Sequence, residues 1–238
     1  MSAFPPSALE ILAYSDCGPS LAPISFRRAR FASGAMDPHD AMVKRAADIV
    51  LASISLIMMS LPMLLAIVAI RLTSKGPALF RQERIGLNGR RFVMLKFRTM
   101  YHTVAPPGSL PQATRDDPRV TPIGALLRRT SFDEFPQLIN VLTGSMSLVG
   151  PRPHAPGTCA AGRPFEAVSH RYGARHVVKP GMTGLAQIRG WRGETDTEEK
   201  LLRRIDSDLE YIATWSLGRD LMIICRTIVT MLRMTNAY

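Results

Sequence analysis

The sequence is organised around SFDEFPQLINVLTG, residues 131–144, which continues directly into SMSLVGPRP, residues 145–153. Four apolar side chains recur there at the spacing of one helix face: Phe135, Leu138, Ile139 and Leu142. This pattern predicts a short amphipathic helix that ends at Gly144. Because a proline is tolerated best in a first helical turn, Pro136 places the start of the helix near Phe132 or Asp133.

Two adjacent acids, Asp133 and Glu134, fall at the start of this helix. They have a purely local explanation, because Ser131 and Glu134 have the spacing of a capping box and acids in a first turn complement the helix dipole. Their surroundings favour a functional explanation. Arg128 precedes the acids, and Arg152 follows them between two prolines that restrict its backbone. Carboxylates among so many cations predict a site for a metal ion and phosphates.

The composition is that of a folded protein with a strong positive charge. The 238 residues include 30 Lys and Arg against 19 Asp and Glu, a net charge of +11. This balance indicates a polyanionic neighbour, which is nucleic acid, anionic lipid or a phosphorylated substrate. Residues 1–40 lack the pattern of a secretory signal, and we interpret them as a mobile extension.

Residues 49–70 form the one uncharged run long enough to span a membrane. As a helix, these residues reach about 33 Å, the thickness of a bilayer core. Basic residues flank the run on both sides: Lys44, Arg45, Arg71 and Lys75. The positive-inside rule therefore gives no preferred direction of crossing, and Pro62 kinks the helix near its middle. We predict a re-entrant helix-break-helix within residues 41–75; a straight membrane-spanning anchor and a buried soluble-core helix are the alternatives.

The segment after this run is basic and contains a predicted hairpin. Asn88 and Gly89 form a turn signal, so residues 78–84 and 91–97 are expected to pair as short strands. Arginines on such a hairpin would contact lipid head groups or substrate phosphates. Further along, residues 123–129 predict a short helix that carries Arg128 towards the acids.

Two amphipathic helices are predicted near the C-terminus. Their apolar stripes begin at Leu201 and Leu221. The last helix fits either a core helix or one lying in the membrane interface. The expected fold class is therefore α+β, with a small and mostly helical catalytic domain that contains one short β-hairpin.

Four motifs together resemble those of the bacterial sugar transferases called monotopic phosphoglycosyl transferases. They appear in the family's order: KFRTM at 96–100, Arg128 with DEFPQ at 133–137, MSLVGPRPH at 146–154 and KPGMTG at 179–184. The similarity covers residues 44–238. The chain departs from the family pattern at Ser60-Leu-Pro62, where a Ser-Pro pair is usual, and at Leu185, where a Trp is expected.

This resemblance implies the reaction, the location and the layout of the chain. The family moves a sugar phosphate from a nucleotide diphosphate sugar to polyprenol phosphate and releases the nucleoside monophosphate. His154, His176 and residues 191–197 look like the branch that transfers hexose phosphates to start exopolysaccharide chains. We therefore expect a UDP-hexose donor and an undecaprenyl phosphate acceptor, at the cytoplasmic face of the bacterial inner membrane. Residues 76–238 would form the catalytic domain, in contact with membrane lipid, with no role for nucleic acid and with a homodimer as one assembly.

The motif residues give a set of candidate site residues. Asp133 is the expected nucleophile and Mg²⁺ ligand, because a diphosphate facing carboxylates needs a hard cation; Glu134 is expected to assist the acceptor as a base or to support the metal. The expected substrate-binding residues are Lys96, Arg98, Arg128, Arg152, Lys179, Thr183 and Gln187. Two of these assignments have structural alternatives. Arg128 has the option of an ion pair with Asp116 or Asp117, and Gln187 that of a solvated turn.

Two competing functions fit parts of the sequence. A basic, membrane-anchored protein that binds nucleic acid or lipid would need only the arginines, and its binding would fall steeply with salt. A phosphodiesterase that hydrolyses nucleotide sugars would need no polyprenol acceptor. Release of nucleoside monophosphate that depends on the acceptor separates the transferase from both.

Overall fold

A computed structural model of the chain describes residues 38–101, 117–193, 195 and 197–232. Its first half consists of α1 (Pro38–Thr73), β1 (Leu79–Ile85), β2 (Arg91–Phe97), α2 (Pro122–Arg129), a 3-10 turn (Phe132–Glu134), α3 (Gln137–Thr143) and β3 (Ser147–Val149). The second half consists of β4 (Cys159–Ala160), β5 (Arg163–Pro164), α4 (Phe165–Val168), a 3-10 segment (Tyr172–Val177), β6 (Gly181–Thr183), α5 (Leu185–Ile188), α6 (Glu198–Ala213) and α7 (Leu217–Leu232). The mixed helix and strand architecture is confirmed. Of the predicted extension, residues 38–40 are helical and the rest lies outside the described residues.

Helix α1 runs through Pro62 without interruption, so the break predicted at this proline is not observed. Packing on both sides explains the continuity, since Met59 and Met63 contact one apolar cluster that also contains Phe97 and Leu127. A proline inside a helix costs about 3 kcal/mol. Burial of a few large apolar side chains, at about 1.5–3 kcal/mol each, offsets that cost.

The two faces of α1 have different environments. Buried positions recur from Lys44 through Ala52 to Ile70, so one face stays against the rest of the protein along most of the helix. The opposite face exposes a continuous apolar stripe that includes Val50, Ile54, Ile57, Leu61, Leu64, Leu65, Val68 and Leu72. By length and composition alone, α1 could cross a membrane, and it is the one helix of the described residues that meets this criterion.

The predicted hairpin is confirmed, with its first strand shifted by one residue. Strands β1 and β2 are antiparallel, and Phe80 pairs with Lys96. Asn88 and Gly89 have φ angles of 53° and 71°, the left-handed values that an Asn-Gly turn supplies.

The central segment differs from its prediction at the N-terminal end. The α-helix α3 begins only at Gln137, and the acids lie in the 3-10 turn before it. Ser131 precedes that turn with φ 56° and forms no capping hydrogen bond with its side chain, so the capping-box explanation of Glu134 is wrong. Gly144 ends α3 at φ 86°, as predicted.

The parallel pair β3 and β6 brings two of the sequence motifs side by side. Ser147 pairs with Gly181, and Val149 pairs with Thr183. The backbones approach so closely that a Cβ on Gly181 would lie 2.1 Å from the amide nitrogen of Gly150. A glycine is therefore required at position 181, which explains the KPG sequence physically.

The two C-terminal helices are confirmed, and α7 has a buried and an exposed face. Ile223 packs in a core cluster with Tyr211, which fits the core-helix alternative for this face. Leu221, Ile228 and Val229 are exposed on the helix.

Candidate active site

An aromatic stack fixes the turn that carries the two acids. The ring of Phe132 lies 6.1 Å from that of Phe97 and 4.6 Å from that of Phe135, measured between centroids. Phe97 belongs to the hairpin, so this stack attaches the turn to the strand that also carries Lys96. Asp133 and Glu134 are thereby held beside the cations of the hairpin.

Glu134 is fully engaged by cations. Its Oε1 accepts from Lys96 Nζ at 2.8 Å and contacts Arg152 Nη2, while its Oε2 accepts from Arg152 Nη1 at 3.2 Å. Burial alone would raise the pKa of Glu134, but Arg152 and Lys96 hold this pKa well below its usual range. Glu134 is therefore ionised, and it orients two cations before any substrate arrives.

The pKa of Asp133 is shifted in the opposite direction, although Asp133 is the next residue. Burial and the charge of Glu134 raise the pKa of Asp133 to about 6, against the opposing effect of Lys96, Arg152 and Arg128. Within the described residues, its carboxylate has no hydrogen bond or ion pair. Two carboxylates with pKa values pushed apart are suited to different tasks, and Asp133 is the one left available to react.

Arg128 lies at the end of α2 and adds a third cation near Asp133. Its Nε donates to Thr99 Oγ1 at 2.9 Å. The alternative ion pair with Asp117 is not observed, because Asp117 binds Arg119 instead at 2.5 Å; Asp116 lies outside the described residues. The Thr99 bond leaves the other guanidinium nitrogens of Arg128 for an anion.

Arg84 is a fourth cation of the site and was missed in the sequence. Burial and the charge of Arg152 lower the pKa of Arg84 to about 10. Its Nη2 donates to Gln82 Oε1 at 2.5 Å, and its Nε is buried without a partner in the described residues. Strand alternation could have found it: Phe80 pairs with Lys96, and Arg84 lies on the same face of β1 as Phe80. Four cations thus surround two acids, a positive excess that suits a diphosphate.

Arg98 contacts the end of α1, and its expected role in substrate binding stays a prediction. Its Nη2 donates to the carbonyl and the hydroxyl of Ser74, each at 2.8 Å. The buried guanidinium therefore fastens the end of β2 to the end of α1. Its contacts within the described residues include neither Asp133 nor Glu134.

Three further candidates contact other protein groups. Lys179 approaches Gly144 at the C-terminal end of α3, which is the end away from the acids, and burial and Arg45 lower its pKa. Thr183 Oγ1 bonds to Thr227 Oγ1 at 2.6 Å, and Gln187 Nε2 donates to the carbonyl of Met182 at 3.0 Å. The solvated turn considered for Gln187 is wrong, since this residue is partly buried at the end of α5. Substrate contact by these three residues stays a prediction.

A C-terminal loop also reaches the site. Arg192 donates to Ser131 Oγ at 3.0 Å, immediately before the turn that carries the acids. Arg204 on α6 holds this loop through the carbonyl of Gly193, at 2.7 Å, and through Thr195 Oγ1. The sequence marked residues 191–197 only by resemblance, because no local pattern shows which loop meets which turn.

The carboxylates fit a metal ion that is shared with a substrate. Among the described residues, no group of three or more His, Cys, Asp or Glu side chains is placed to hold a metal by itself. Mg²⁺ is commonly bound through one or two carboxylates together with substrate phosphates and water. The available carboxylate of Asp133, beside cations that attract phosphates, meets that description.

The comparisons with known proteins agree with the motifs. The family model described as bacterial sugar transferase matches residues 39–234, and the chain belongs to this family. It is 50% identical over 195 residues to a UDP-glucose:undecaprenyl-phosphate glucose-1-phosphate transferase of Caulobacter vibrioides, covering 82% of this chain and 72% of that protein. It is 49% identical over 187 residues to the protein of the same name in Escherichia coli, covering 79% of this chain and 39% of the relative. An exopolysaccharide production protein of Rhizobium leguminosarum is 46% identical over 192 residues, covering 80% of this chain and 96% of that protein.

Coverage differs among the relatives. The chain spans about two fifths of the length of several of them, as with the Escherichia coli protein at 39%. This chain therefore shares their family. That it has the complete activity of these relatives is a proposal.

Proposed function

We propose that this protein transfers hexose-1-phosphate from a UDP-hexose to undecaprenyl phosphate, giving undecaprenyl diphosphate hexose and UMP. This would be the first membrane step in making an exopolysaccharide or other surface glycan. The observation that carries the proposal is the contrast between Asp133, available and with a raised pKa, and Glu134, locked by Lys96 and Arg152. The names of the Caulobacter and Escherichia coli relatives favour glucose as the hexose.

The proposed first step forms a covalent intermediate on Asp133. The ionised carboxylate attacks the phosphorus attached to the sugar, the bond from that phosphorus to the UMP oxygen breaks, and hexose phosphate stays on Asp133. In the second step, an oxygen of undecaprenyl phosphate attacks the same phosphorus, and the aspartyl bond breaks. Asp133 returns to its carboxylate form, so no net proton or electron is consumed by the protein.

The surrounding cations have separate parts in this reaction. Arg152 and Lys96 are held by Glu134 in fixed positions, so they bind phosphate oxygens without a further cost of ordering. Arg128 presents a planar fork that suits two oxygens at once. Each cation draws electron density from the phosphorus and makes attack by an anion feasible.

Mg²⁺ is the proposed cofactor, with Asp133 as its protein ligand. When bound, it would supply a hard positive charge that partly neutralises the phosphates of the substrate. Glu134 then acts through the cations that it orients. Its low pKa makes the role of a general base, one of its two expected roles, the weaker one.

The proposed location is the cytoplasmic face of the bacterial inner membrane. The exposed apolar stripe of α1 would contact lipid, while its buried face stays against the catalytic domain from Lys44 to Ile70. Contact with the rest of the protein near both ends of the helix favours a monotopic arrangement in which both ends stay on one side. The re-entrant topology and the homodimer stay predictions.

The test is acceptor-dependent release of UMP. Purified protein with Mg²⁺ and undecaprenyl phosphate is offered UDP-glucose, UDP-galactose and other UDP-sugars, and multiple-turnover UMP release is measured with and without the acceptor. Asp133→Asn should abolish turnover, and Asp206→Asn, which changes an exposed acid on α6, should leave it unchanged. UMP release at equal rates without the acceptor would identify a phosphodiesterase. No release with any donor, together with salt-sensitive binding to nucleic acid or lipid, would favour the binding protein.

A further inference from the structure

The turn Pro151-Arg152-Pro153 carries one of the cations that bind Glu134, yet it has few backbone donors for hydrogen bonds of its own. Two of its three residues are prolines and have no backbone N–H, so the turn offers only the Arg152 amide as a donor. Its position therefore depends on outside donors to its carbonyls. The structure provides such donors to four consecutive carbonyls.

The four donors come from three parts of the chain, and two of them are neighbours on β1. The carbonyls of Pro151 and His154 accept from the amides of Gly181 and Ile85, each at 3.0 Å. The carbonyl of Pro153 accepts from Arg84 Nη1 at 3.4 Å. The carbonyl of Arg152 itself accepts from Arg175 Nη2 at 2.7 Å, the shortest of the four.

Arg175, which donates to the turn, is itself fixed by several neighbouring side chains. Its Nε donates to Asp208 Oδ2 at 2.9 Å, and its Nη2 lies 2.6 Å from the same oxygen. Its Nη1 lies 2.8 Å from His154 Nδ1, and its guanidinium stands 5.5 Å from the ring centroid of Tyr172. The Arg175 and Asp208 side chains are only 2% and 3% exposed. All three nitrogens of one guanidinium thus link α6 to the turn.

The neutral state of His154 completes this arrangement. Burial, together with the charge of Arg175, lowers the pKa of His154 well below its usual range. The neutral ring can accept from Arg175 at Nδ1, as the distance requires. His154 therefore orients Arg175, and it is not a general acid.

We infer that Arg175 and Asp208 are positioning residues for the reaction: through the carbonyl of Arg152, they hold its guanidinium on Glu134 and at the phosphate site. This inference rests on the proposed function for its catalytic readout. A buried ion pair is costly to assemble, and a pair of apolar residues would fill the same core. What apolar residues cannot do is donate to the carbonyl of Arg152, as Arg175 does at 2.7 Å.

Two variants and a control distinguish the effects of the ion-pair charge, of the guanidinium shape and of simple burial. Arg175→Lys keeps the charge and loses the fork, so it cannot serve Asp208, His154 and Arg152 together. Asp208→Asn keeps the shape and loses the countercharge. The matched control is Asp206→Asn, because Asp206 pairs with Arg171 at 2.8 Å between the same two segments, with both side chains exposed.

Two readouts test the inference, and the first needs no activity. The amides of Ile85 and Gly181 are bonded to the turn, so hydrogen exchange at these two amides should speed up in both variants and not in the control. If exchange is unchanged, the turn does not depend on Arg175 and the inference is overturned. If both variants unfold while the control folds, the pair is a core ion pair only, and the inference is equally overturned.

The second readout is turnover in two backgrounds. Arg175→Lys should lower kcat by about tenfold to a hundredfold with a smaller change in KM, the range for loss of one transition-state contact. The second background is Arg152→Lys, which keeps a charge and should keep measurable turnover. There, Arg175→Lys should lower kcat by less than about twofold, because the effects of residues that act as a unit are not additive. Equal losses in both backgrounds would make Arg175 merely structural. Faster hydrogen exchange in a variant whose turnover equals that of the wild type would also refute the positioning role. A wild-type protein without acceptor-dependent UMP release would instead refute the proposed function itself.

Discussion

Replacing Glu134 with Gln should shift the acid limb of the pH–rate profile to lower pH. The reason is that Asp133 would react as a carboxylate in the proposed first step, and its pKa is raised to about 6 by burial and by the charge of Glu134. With a pKa of about 6, Asp133 is about nine-tenths ionised at pH 7 and about one-tenth ionised at pH 5. The wild-type first step should therefore slow by about tenfold over this range.

The Glu134→Gln variant removes one cause of the raised pKa of Asp133 and strengthens two interactions that lower this pKa. The repelling charge of Glu134 is lost, while Lys96 and Arg152 lose their partner and attract the Asp133 carboxylate more strongly. The midpoint should fall by about one to two pH units, the usual effect of a change in one neighbouring charge. At pH 5, the variant should then keep most of its own rate at pH 7, although this rate is lower than that of the wild type because Arg152 is less well held.

The assay measures the rate of the UMP burst in the absence of acceptor. Rapid-quench measurements are made between pH 5 and 8 at a fixed, limiting Mg²⁺ concentration. Omitting the acceptor matters, because a phosphate monoester itself titrates near pH 6. Asp206→Asn provides the control and should reproduce the wild-type midpoint. An unchanged midpoint in Glu134→Gln would show that the titrating group is not Asp133 coupled to Glu134. If the wild type gives no burst, the covalent step is refuted.

Three further outcomes are expected. Lys44→Met breaks the buried 2.5 Å ion pair with Asp220 and should lower the free energy of unfolding by about 3 kcal/mol in urea titrations, with Lys44→Arg losing much less; equal stability of all three proteins would contradict this. Arg98→Lys should lower the melting temperature and leave the KM for the donor unchanged, because its fork binds Ser74; a raised KM at an unchanged melting temperature would restore the substrate-binding role expected from the sequence. Chelation of Mg²⁺ should abolish turnover, and raising Mg²⁺ should move the acid limb to lower pH, since metal and proton would compete for Asp133; full turnover in excess chelator would exclude the metal.

The parts of the fold that were predicted correctly are set by local chemistry. Asn88-Gly89 specifies a left-handed turn, and the strands on each side follow from it. Gly144 ends α3 because its φ of 86° is one that glycine adopts at little cost. Helix α1 continues through Pro62 because tertiary packing outweighs the local cost of proline, and no local pattern reports that packing. The re-entrant topology stays a prediction.

The structure brings four of the predicted site residues together although they are distant in the chain, and it places Arg98 elsewhere. The catalytic and binding roles of these residues stay predictions. Asp133, Glu134, Lys96 and Arg152 meet because the hairpin and the Pro151–Pro153 turn both lie against the 3-10 turn. Arg98 is only two residues beyond Lys96, yet its contacts are at the end of α1. A motif read as one string assigns both residues to the substrate, whereas the backbone directs them to different neighbours.

Helix α1 supports the catalytic segment at both of its ends, and this limits how the protein can sit on a membrane. Near the start of α1, Arg45 donates to the carbonyls of Val141 and Leu142, at 2.6 and 2.8 Å, and so holds the C-terminal end of α3. Near its other end, Ile70 packs with Phe97, in the cluster that Phe132 and the turn carrying the acids also contact. A straight crossing would carry one end of α1 away from the catalytic domain and break one of these two contacts. An arrangement that keeps both ends beside the domain preserves both contacts, and this supports the proposal that α1 enters the membrane without crossing it.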